Sequence, residues 1–293
     1  MIEVKELSKV YSNGKGVFDV DFKVEKGEVF GFLGPNGAGK TTTIRNLLGF
    51  TNPTKGSCSI KGLDCREKAS HIQKILGYVP GEIAFFDNMT GLQFMNFIAD
   101  MRGKDSIKRR DYLIELFELE SDRKIRKMSK GMKQKVGLIT AFMHDPEIII
   151  LDEPTSGLDP LMQRRFVQLI KEEKKRKKTI LMSSHIFDEV DRTCERVAII
   201  REGRIVAIEN ISALKSSLKK SYFVTVSNDS DIEKIKSSGL EYNIIDENSL
   251  EIFISNNYQK LFETLTQCHV KDLDTSSQTL EQIFIRYYSK EEN

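Results

Sequence analysis

One glycine-rich stretch limits the folds available to this chain more than any other feature. Residues 34–41 read Gly-Pro-Asn-Gly-Ala-Gly-Lys-Thr and match the phosphate-binding pattern G-x-x-x-x-G-K-[ST]. An apolar run precedes this phosphate loop and a helical pattern follows it, which is the context that the pattern requires. Glycines let backbone N–H groups surround a polyphosphate at a helix N-terminus. We therefore predict an α/β fold that binds a nucleoside triphosphate. The residues predicted to contact it are Gly34, Pro35, Asn36, Gly37, Ala38, Gly39, Lys40, Thr41 and Thr42.

Two acidic residues far along the chain complement this loop. Asp152 and Glu153 come directly after the aliphatic run 148–151, which is typical of a buried parallel strand. Lys40 would reach the β- and γ-phosphates, and Thr41 would place its hydroxyl on Mg²⁺. Asp152 supplies the carboxylate that this ion needs, directly or through water. We assign Glu153 as the general base that polarises a water for attack on the γ-phosphate.

Composition limits the class of protein. The 293 residues suffice for one large or two moderate domains, and no apolar run approaches the roughly 20 residues that cross a bilayer. The N-terminus lacks the pattern of a signal peptide and the four cysteines are scattered, so we expect the chain to stay in the cytosol. The net charge of +2 does not imply a polyanionic partner. Because the basic run 174–178 fits a solvated helix terminus, we predict no nucleic-acid partner.

Hydrophobic patterning divides residues 1–215 into three parts. Alternating residues before Leu33 predict a small antiparallel sheet, and helical periodicity predicts a helical insertion at about 84–143. Three apolar runs, two of which end at Asp152-Glu153 and His185, predict a mostly parallel core sheet. Ligands bind at the carboxyl ends of the strands in such sheets. The phosphate loop, the acidic pair and His185 are therefore predicted to converge at one edge.

Three features allow more than one interpretation from the residues alone. Tyr11 lies in a polar turn and is either a minor core residue or a stacking platform for a planar ligand. Phe85 and Phe86 precede the helical periodicity and are either satellite core or an exposed docking patch for another protein. A single histidine at a strand end, such as His185, is more often structural than functional.

Residues 216–293 form a second region after a polar linker. They show the order strand, helix, hairpin, helix, strand and helix, which predicts a small α+β accessory domain of βαββαβ type with a last helix over 279–287. No catalytic grouping occurs in this region. Steadying a dimer, sensing a ligand and inhibiting turnover are all compatible with the pattern.

The order and spacing of the motifs between Tyr11 and His185 resemble the nucleotide-binding subunit of an ATP-binding cassette (ABC) transporter. Residues 128–132, Met-Ser-Lys-Gly-Met, resemble the family's signature segment, which is usually written LSGGQ. Residues 157–160, Gly-Leu-Asp-Pro, resemble its D-loop. The implied fold is a P-loop NTPase cassette: a mostly parallel core sheet, a small antiparallel β subdomain and a helical insertion.

This resemblance implies roles for further residues. The nucleotide is implied to be ATP with Mg²⁺, the Tyr11 ring to stack on adenine, and His185 to contact the γ-phosphate. Ser129 and Gly131 are implied to face the ATP that a second cassette holds, and Asp159 to lie in the loop that links the two sites. A second helix N-terminus is physically suited to bind that phosphate.

Two positions depart from the family pattern. Where the family usually has Gln after Tyr-Val-Pro, this chain has Gly81-Glu82, and Met132 replaces the final Gln of the signature. Similar substitutions resemble those of exporter-type bacterial cassettes with short carboxyl-terminal extensions, including exporters of drugs and antimicrobial peptides. Whether Glu82 replaces the missing Gln is open at this point.

The resemblance implies an ATPase that drives export through separate membrane-spanning subunits. The chain would pair with a second nucleotide-binding subunit, identical or related, at the cytoplasmic face of the cell membrane. One alternative is a soluble cassette ATPase acting on ribosomes or nucleic acid, although this chain lacks the paired cassettes or long coiled coil typical of those proteins. Another is an ATP-gated immunity or binding subunit with low turnover.

Overall fold

The computed structural model describes residues 1–86, 88–102, 106–217, 220–254 and 258–277. The chain divides into two compact units, Met1–Ile211 and Ser212–Asn293. The boundary falls after Ile211 instead of at 215, because the amide of Ile211 still donates to the carbonyl of Glu195 in the first unit (2.9 Å). The helix predicted over 279–287 lies outside the described residues.

Ten strands and seven helices of the described chain lie in the first unit, and α8 starts at its last residue. The strands are β1 (Ile2–Val10), β2 (Gly16–Val24), β3 (Val29–Leu33), β4 (Lys55–Ile60), β5 (Leu63–Asp64), β6 (Leu76–Val79), β7 (Ile148–Asp152), β8 (Thr179–Ser184), β9 (Arg196–Arg201) and β10 (Arg204–Asn210). The helices are α1 (Lys40–Leu47), α2 (Ala69–Ile75), α3 (Gly91–Arg102), α4 (Ile107–Leu116), α5 (Lys130–Phe142), α6 (Pro160–Lys175), α7 (Phe187–Thr193) and α8 (Ile211–Ser217), with a 3-10 turn at Ile125–Lys127.

A six-stranded sheet in the order β10-β9-β3-β8-β7-β6 forms the centre of this unit. All neighbours in it are parallel except β10 and β9. Strands β3, β7 and β8 are buried along their whole length, as expected for parallel strands covered on both faces. β8 pairs with β3 up to Ser184 opposite Leu33, and with β7 up to Ser183 opposite Asp152. The phosphate loop, the acidic pair and His185 therefore leave the sheet at the same edge.

A second sheet, β2-β1-β4-β5, is antiparallel and shares a core with the first. Phe22 of β2 stacks on Phe30 of β3 with ring centroids 5.4 Å apart. The amide of Phe18 donates to the carbonyl of Gly203, whose own amide donates to the carbonyl of Ala38 in the phosphate loop. These bonds place the start of the antiparallel sheet against the phosphate loop.

Charged side chains join the helical insertion to the rest of the unit. Glu173 on α6 is almost completely buried and binds Arg109 of α4 and Arg176. Asp145 binds Arg176 at 2.8 Å and Lys178 at 2.9 Å, and the two basic residues hold its pKa below the usual value for a carboxyl. Part of the basic run 174–178 is thus engaged in ion pairs within the chain.

The second unit shows the predicted βαββαβ order. Its elements are β11 (Lys220–Val226), α9 (Asp229–Ser237), β12 (Glu241–Asp246), β13 (Ser249–Ile254), α10 (Tyr258–Leu265) and β14 (Val270–Ser277). The strands form an antiparallel sheet in the order β12-β13-β11-β14. Val224, Leu250 and Ile252 on one face pack with Ile235 of α9 and Leu261 of α10 to form a separate core. In both units, no helix over the described ranges combines the length and the apolar character that a membrane span requires.

Candidate nucleotide-binding site

The phosphate loop connects the end of β3 to the start of α1. Gly39 precedes the helix with a φ of 109°, and a Cβ at this position would lie 2.5 Å from a methyl group of Val17. Both the dihedral angle and the space require glycine. Helix α1 starts at Lys40, so its first backbone N–H groups lack intrahelical acceptors and face the loop. The sequence therefore creates an anion-binding helix terminus at the sheet edge.

Lys40 is folded over this loop. Its Nζ donates to the carbonyls of Gly34 (2.6 Å) and Pro35 (3.2 Å) and lies 3.0 Å from Oε1 of Glu153. Oε2 of Glu153 lies 2.6 Å from Nδ1 of His185. The three side chains predicted to be catalytic thus form one contact chain, with Glu153 at its centre.

The backbone at Glu153 is held in an uncommon conformation. Its φ is 51°, in the left-handed region that non-glycine residues rarely occupy. The amide of Glu153 donates to the carbonyl and to Oγ of Ser183, each at 3.2 Å. Such strain costs on the order of 1–3 kcal/mol and persists only where surrounding contacts maintain it. Here it directs the carboxylate towards Lys40 and His185.

Thr41 and Asp152 lie directly beside this group. Oγ1 of Thr41 donates to Oδ2 of Asp152 at 2.8 Å, and the hydroxyl of Ser183 donates to Oδ1. Asp152 is fully buried, so its carboxylate has a fixed orientation. Gly81 borders it, since a Cβ added there would lie 3.3 Å from Oδ2 of Asp152, whereas Glu82 is exposed. Position 81 therefore places no side chain beside the Asp152 carboxylate.

An open cleft of about 220 Å³ lies over the loop. Asn36, Gly37, Gly39, Lys40, Thr41, Thr42 and Glu153 line it together with Tyr11. Tyr11 is 38% exposed, so the interpretation as a core residue was wrong. Its backbone forms a tight turn with Gly14 and Lys15, and Lys9 lies 5.7 Å from its ring centre. Its ring is therefore available to a planar ligand in the cleft, and its role remains a prediction. Ala38, which was also predicted to contact the nucleotide, is buried and is not among the described residues that line the cleft.

The sequence reasoning missed Lys15, which also lines this cleft. Lys15 follows Asn13-Gly14, and Asn13 accepts a hydrogen bond from its amide (3.1 Å). The sequence signal that could have identified Lys15 is its position directly after a turn that starts at the aromatic residue Tyr11. It adds a second positive charge to the cleft.

The signature segment lies at the N-terminus of α5. The hydroxyl of Ser129 accepts from the amide of Met132 (3.2 Å) and caps the helix. A Cβ at Gly131 would lie 2.5 Å from the carbonyl oxygen of Gly157, so the segment packs closely on the loop 153–159. Asp159 caps α6 by accepting from the amide of Met162 (3.0 Å). The described residues that line the cleft do not include Ser129, Gly131 or Asp159.

Comparison with known proteins places this architecture in one family. A family model described as "ABC transporter" matches residues 17–156. The bacitracin transport ATP-binding protein BcrA of Bacillus licheniformis is 36% identical over 75% of this chain and 73% of that protein. The probable multidrug ABC transporter ATP-binding protein YbhF of Escherichia coli (strain K12) is 34% identical over 74% of this chain, and the match spans 38% of that protein's length. A solved ATP-binding subunit of an ABC transporter, 32% identical, superposes with a TM-score of 0.68 over 73% of this chain and 92% of that structure.

The chain therefore belongs to the ABC transporter family, and its first unit has the fold of an ATP-binding cassette. The predicted family and fold class are both confirmed. The assignments of individual site residues stay predictions, which the geometry above makes specific.

Proposed function

We propose that this chain hydrolyses ATP at the cytoplasmic face of a membrane and thereby drives export through separate membrane-spanning subunits. The observation that supports this best is the contact of Glu153 with both Lys40 and His185, directly beside Thr41 and Asp152. A base, a phosphate-binding cation and a metal-binding pair are then within reach of one phosphoryl group. The relatives are named for bacitracin transport and for multidrug transport, which favours export over uptake.

Nucleotide binding would rearrange the charges in the cleft. ATP places its adenine on Tyr11 and its phosphates on the backbone N–H groups of the phosphate loop. Lys40 then exchanges its ion pair with Glu153 for one with the γ-phosphate. The released Glu153 carboxylate accepts the proton of the attacking water, while His185 holds its second oxygen. Glu153 is thus occupied before ATP binds and becomes available afterwards.

Thr41 and Asp152 fit a bound Mg²⁺. The pair offers one hydroxyl and one carboxylate 2.8 Å apart, and Mg²⁺ in nucleotide sites commonly takes only one or two protein ligands besides phosphates and water. Over the described residues no cluster of three acidic, histidine or cysteine ligands occurs that would hold an ion by itself. When bound, the ion neutralises charge on the transferred phosphoryl group. The hydroxyl of Ser183 keeps Asp152 oriented for this role.

The signature segment suits a second cassette subunit. Ser129 and Lys130 are exposed at the start of α5, and the first turn of this helix contains no acidic residue. Lys130 and Lys133 form no ion pair with any residue that the structure describes. The helix terminus and these charges attract a phosphate. We infer that the triphosphate held by a second copy, or by a related subunit, meets this surface.

An aromatic patch on the helical insertion suits the membrane-spanning subunits. We define the aromatic patch as Phe85, Phe86, Phe94 and Phe97. Phe86 and Phe97 are 54% and 37% exposed. The ring centres of Phe86 and Phe97 are 5.7 Å apart, and those of Phe85 and Phe94 are 5.0 Å apart. Contiguous exposed apolar surface of this kind marks a protein-binding site. We expect an apolar segment of a membrane subunit to cover it.

Reconstitution tests the proposal. The chain, co-purified with its membrane subunits and placed in lipid vesicles, should release phosphate from ATP, and a Glu153→Gln complex should do so about 10²- to 10³-fold more slowly. A matched Glu147→Gln complex, altered at an exposed carboxylate that binds Lys61 (2.6 Å), should keep normal turnover. Phosphate release by Glu153→Gln at the parent rate would refute the catalytic assignment. Recovery of the chain with ribosomes or nucleic acid instead of with membranes would refute the transport role.

A further inference from the structure

We propose that Glu189 is a positioning residue that keeps Glu153 and His185 in register for hydrolysis. This inference rests on the proposed function, because it assigns a role in the same reaction. Glu189 lies on α7, four residues after His185, and is not among the described residues that line the cleft.

Glu189 is bonded to the residue that precedes His185. Its Oε2 accepts a hydrogen bond from Oγ of Ser184 at 2.5 Å, and that hydroxyl in turn accepts from the amide of Ile186 at 3.0 Å. Ser184 is therefore fixed by one bond to the carboxylate and one to the backbone. Ser184 and Ile186 flank His185 in the chain. Because the hydroxyl of Ser184 binds both Glu189 and the amide of Ile186, it holds the backbone from which the His185 ring projects.

The same carboxyl faces the loop that follows Glu153. Thr155 lies beside Glu189 and, like the hydroxyl of Ser184, lowers its pKa, while Oε1 of Glu189 makes no hydrogen bond with any described residue. Both Thr155 and Glu189 line a second cavity between α6 and α7. Glu189 therefore lies between the two loops that carry Glu153 and His185, and these loops meet at the 2.6 Å contact of those side chains.

Burying the Glu189 carboxyl costs desolvation free energy, which suggests that the residue has a role at this place. Glu189 is only 6% exposed, and burial raises its pKa to about 7 despite the hydroxyl groups next to it. An apolar residue would fill the same space without that penalty. Groups that orient a reacting side chain commonly contribute 10- to 100-fold to activity without contacting the substrate.

The test measures ATP hydrolysis and ATP binding of the full chain in its transporter complex. Glu189→Ala should lower kcat about 10- to 100-fold, as expected for misplaced catalytic groups, and leave KM and the Kd for a fluorescent ATP analogue within about twofold. Glu189→Gln should retain most activity, because its amide oxygen still accepts from Ser184. Asp188→Asn, at the exposed neighbouring acid that binds Arg192 (2.8 Å), is the matched control and should behave as the parent.

Two further measurements separate positioning from general destabilisation. Ser184→Ala should reproduce the loss of kcat, and the double variant Ser184→Ala/Glu189→Ala should be no slower than either single variant, since both remove one interaction. The chain has four histidines, and the imidazole NMR signal of His185 alone should shift in Glu189→Ala.

Normal kcat in Glu189→Ala or in Ser184→Ala would overturn the inference, as would a loss in Glu189→Gln as large as that in Glu189→Ala. Ser184→Ala removes a single oxygen, so it provides the test if Glu189→Ala does not fold. A failure of the proposed function is distinguishable, because the parent complex would then hydrolyse no ATP or Glu153→Gln would be fully active.

Discussion

The phosphate-loop end and the signature end of the cassette differ in how far their polar groups are satisfied. At the first, Lys40 is 5% exposed and contacts two carbonyls and Glu153, while the hydroxyl of Thr41 already contacts Asp152. At the second, Ser129 caps its own helix and Lys130 is exposed without an ion pair among the described residues. On the proposed function, a nucleotide displaces the contacts of Lys40 at the first end. The second end would gain its ligand from a second subunit.

Because the two ends differ in this way, we expect them to respond differently to substitution. Changes at the phosphate-loop end should affect ATP binding and chemistry in the isolated chain. Changes at the signature end should leave ATP binding to the isolated chain unchanged and should slow the steps that need a second subunit. The loop 153–159 connects the two, because it starts at Glu153 and its Gly157 carbonyl contacts Gly131.

The largest effect is expected for Lys40→Ala. The variant should lose at least about 10³-fold in phosphate release, since it removes the cation that neutralises the γ-phosphate. It also leaves Glu153 without its main counterion. ATP binding to the isolated chain, measured by fluorescence titration, should weaken in parallel. Lys61→Ala, at an exposed lysine, is the control, and unchanged ATP affinity in Lys40→Ala would remove the contrast between the two ends.

Glu153→Gln is expected to separate binding from chemistry at the same end. Its kcat should fall about 10²- to 10³-fold, because the amide cannot accept a proton from water. ATP affinity should stay equal or rise, since binding no longer has to break the ion pair between Lys40 and Glu153 at 3.0 Å. Phosphate release and fluorescence titration of the same sample measure both quantities. A weaker affinity would show that Glu153 does not compete with the γ-phosphate for Lys40.

A pH-dependent effect on stability is expected from the Glu189 carboxyl, which faces the loop 153–159. Burial raises the pKa of Glu189 to about 7 from an ordinary value of 4.5. The folded chain then binds this proton more tightly than the unfolded chain, so the stability that it contributes is full below pH 4.5 and is lost by about pH 7. The loss amounts to about 3 kcal/mol. Glu189→Gln should not lose it.

Denaturation of both proteins at pH 5 and pH 8 measures this loss. The parent should become less stable relative to Glu189→Gln as the pH rises. A constant difference between the two proteins would mean that Glu189 does not titrate in this range.

The smallest effect is expected for Gly131→Ala at the signature end. Its Cβ would approach the carbonyl oxygen of Gly157 to 2.5 Å, so the segment must move away from the connecting loop. We expect a loss of about 1–3 kcal/mol in stability and a lower kcat in the assembled complex. ATP affinity of the isolated chain should not change. A weaker ATP affinity would show that the two ends are not independent.

Most of the fold followed from local patterns. The apolar runs of β7, β8 and β9 predicted a mostly parallel core sheet, and the strand and helix order after residue 216 predicted the βαββαβ unit. The predicted boundary at 215 lies four residues after the end of the first unit at Ile211, because a linker composition shows where packing is weak but not which hydrogen bond is the last of a unit. The convergence at the sheet edge was predicted because parallel strands end on the same side.

The phosphate loop and the acidic pair are readable in the sequence, because each is a short run of defined residue types, and the cassette architecture followed from the resemblance to the ABC family. Three features became visible only in the folded chain: Lys40 contacts Glu153, Tyr11 is exposed at the cleft, and Glu189 binds Ser184 beside His185. The contact of Lys40 with Glu153 joins residues that lie far apart in the chain. Its distance depends on how the sheet and helices pack, which no spacing along the sequence encodes.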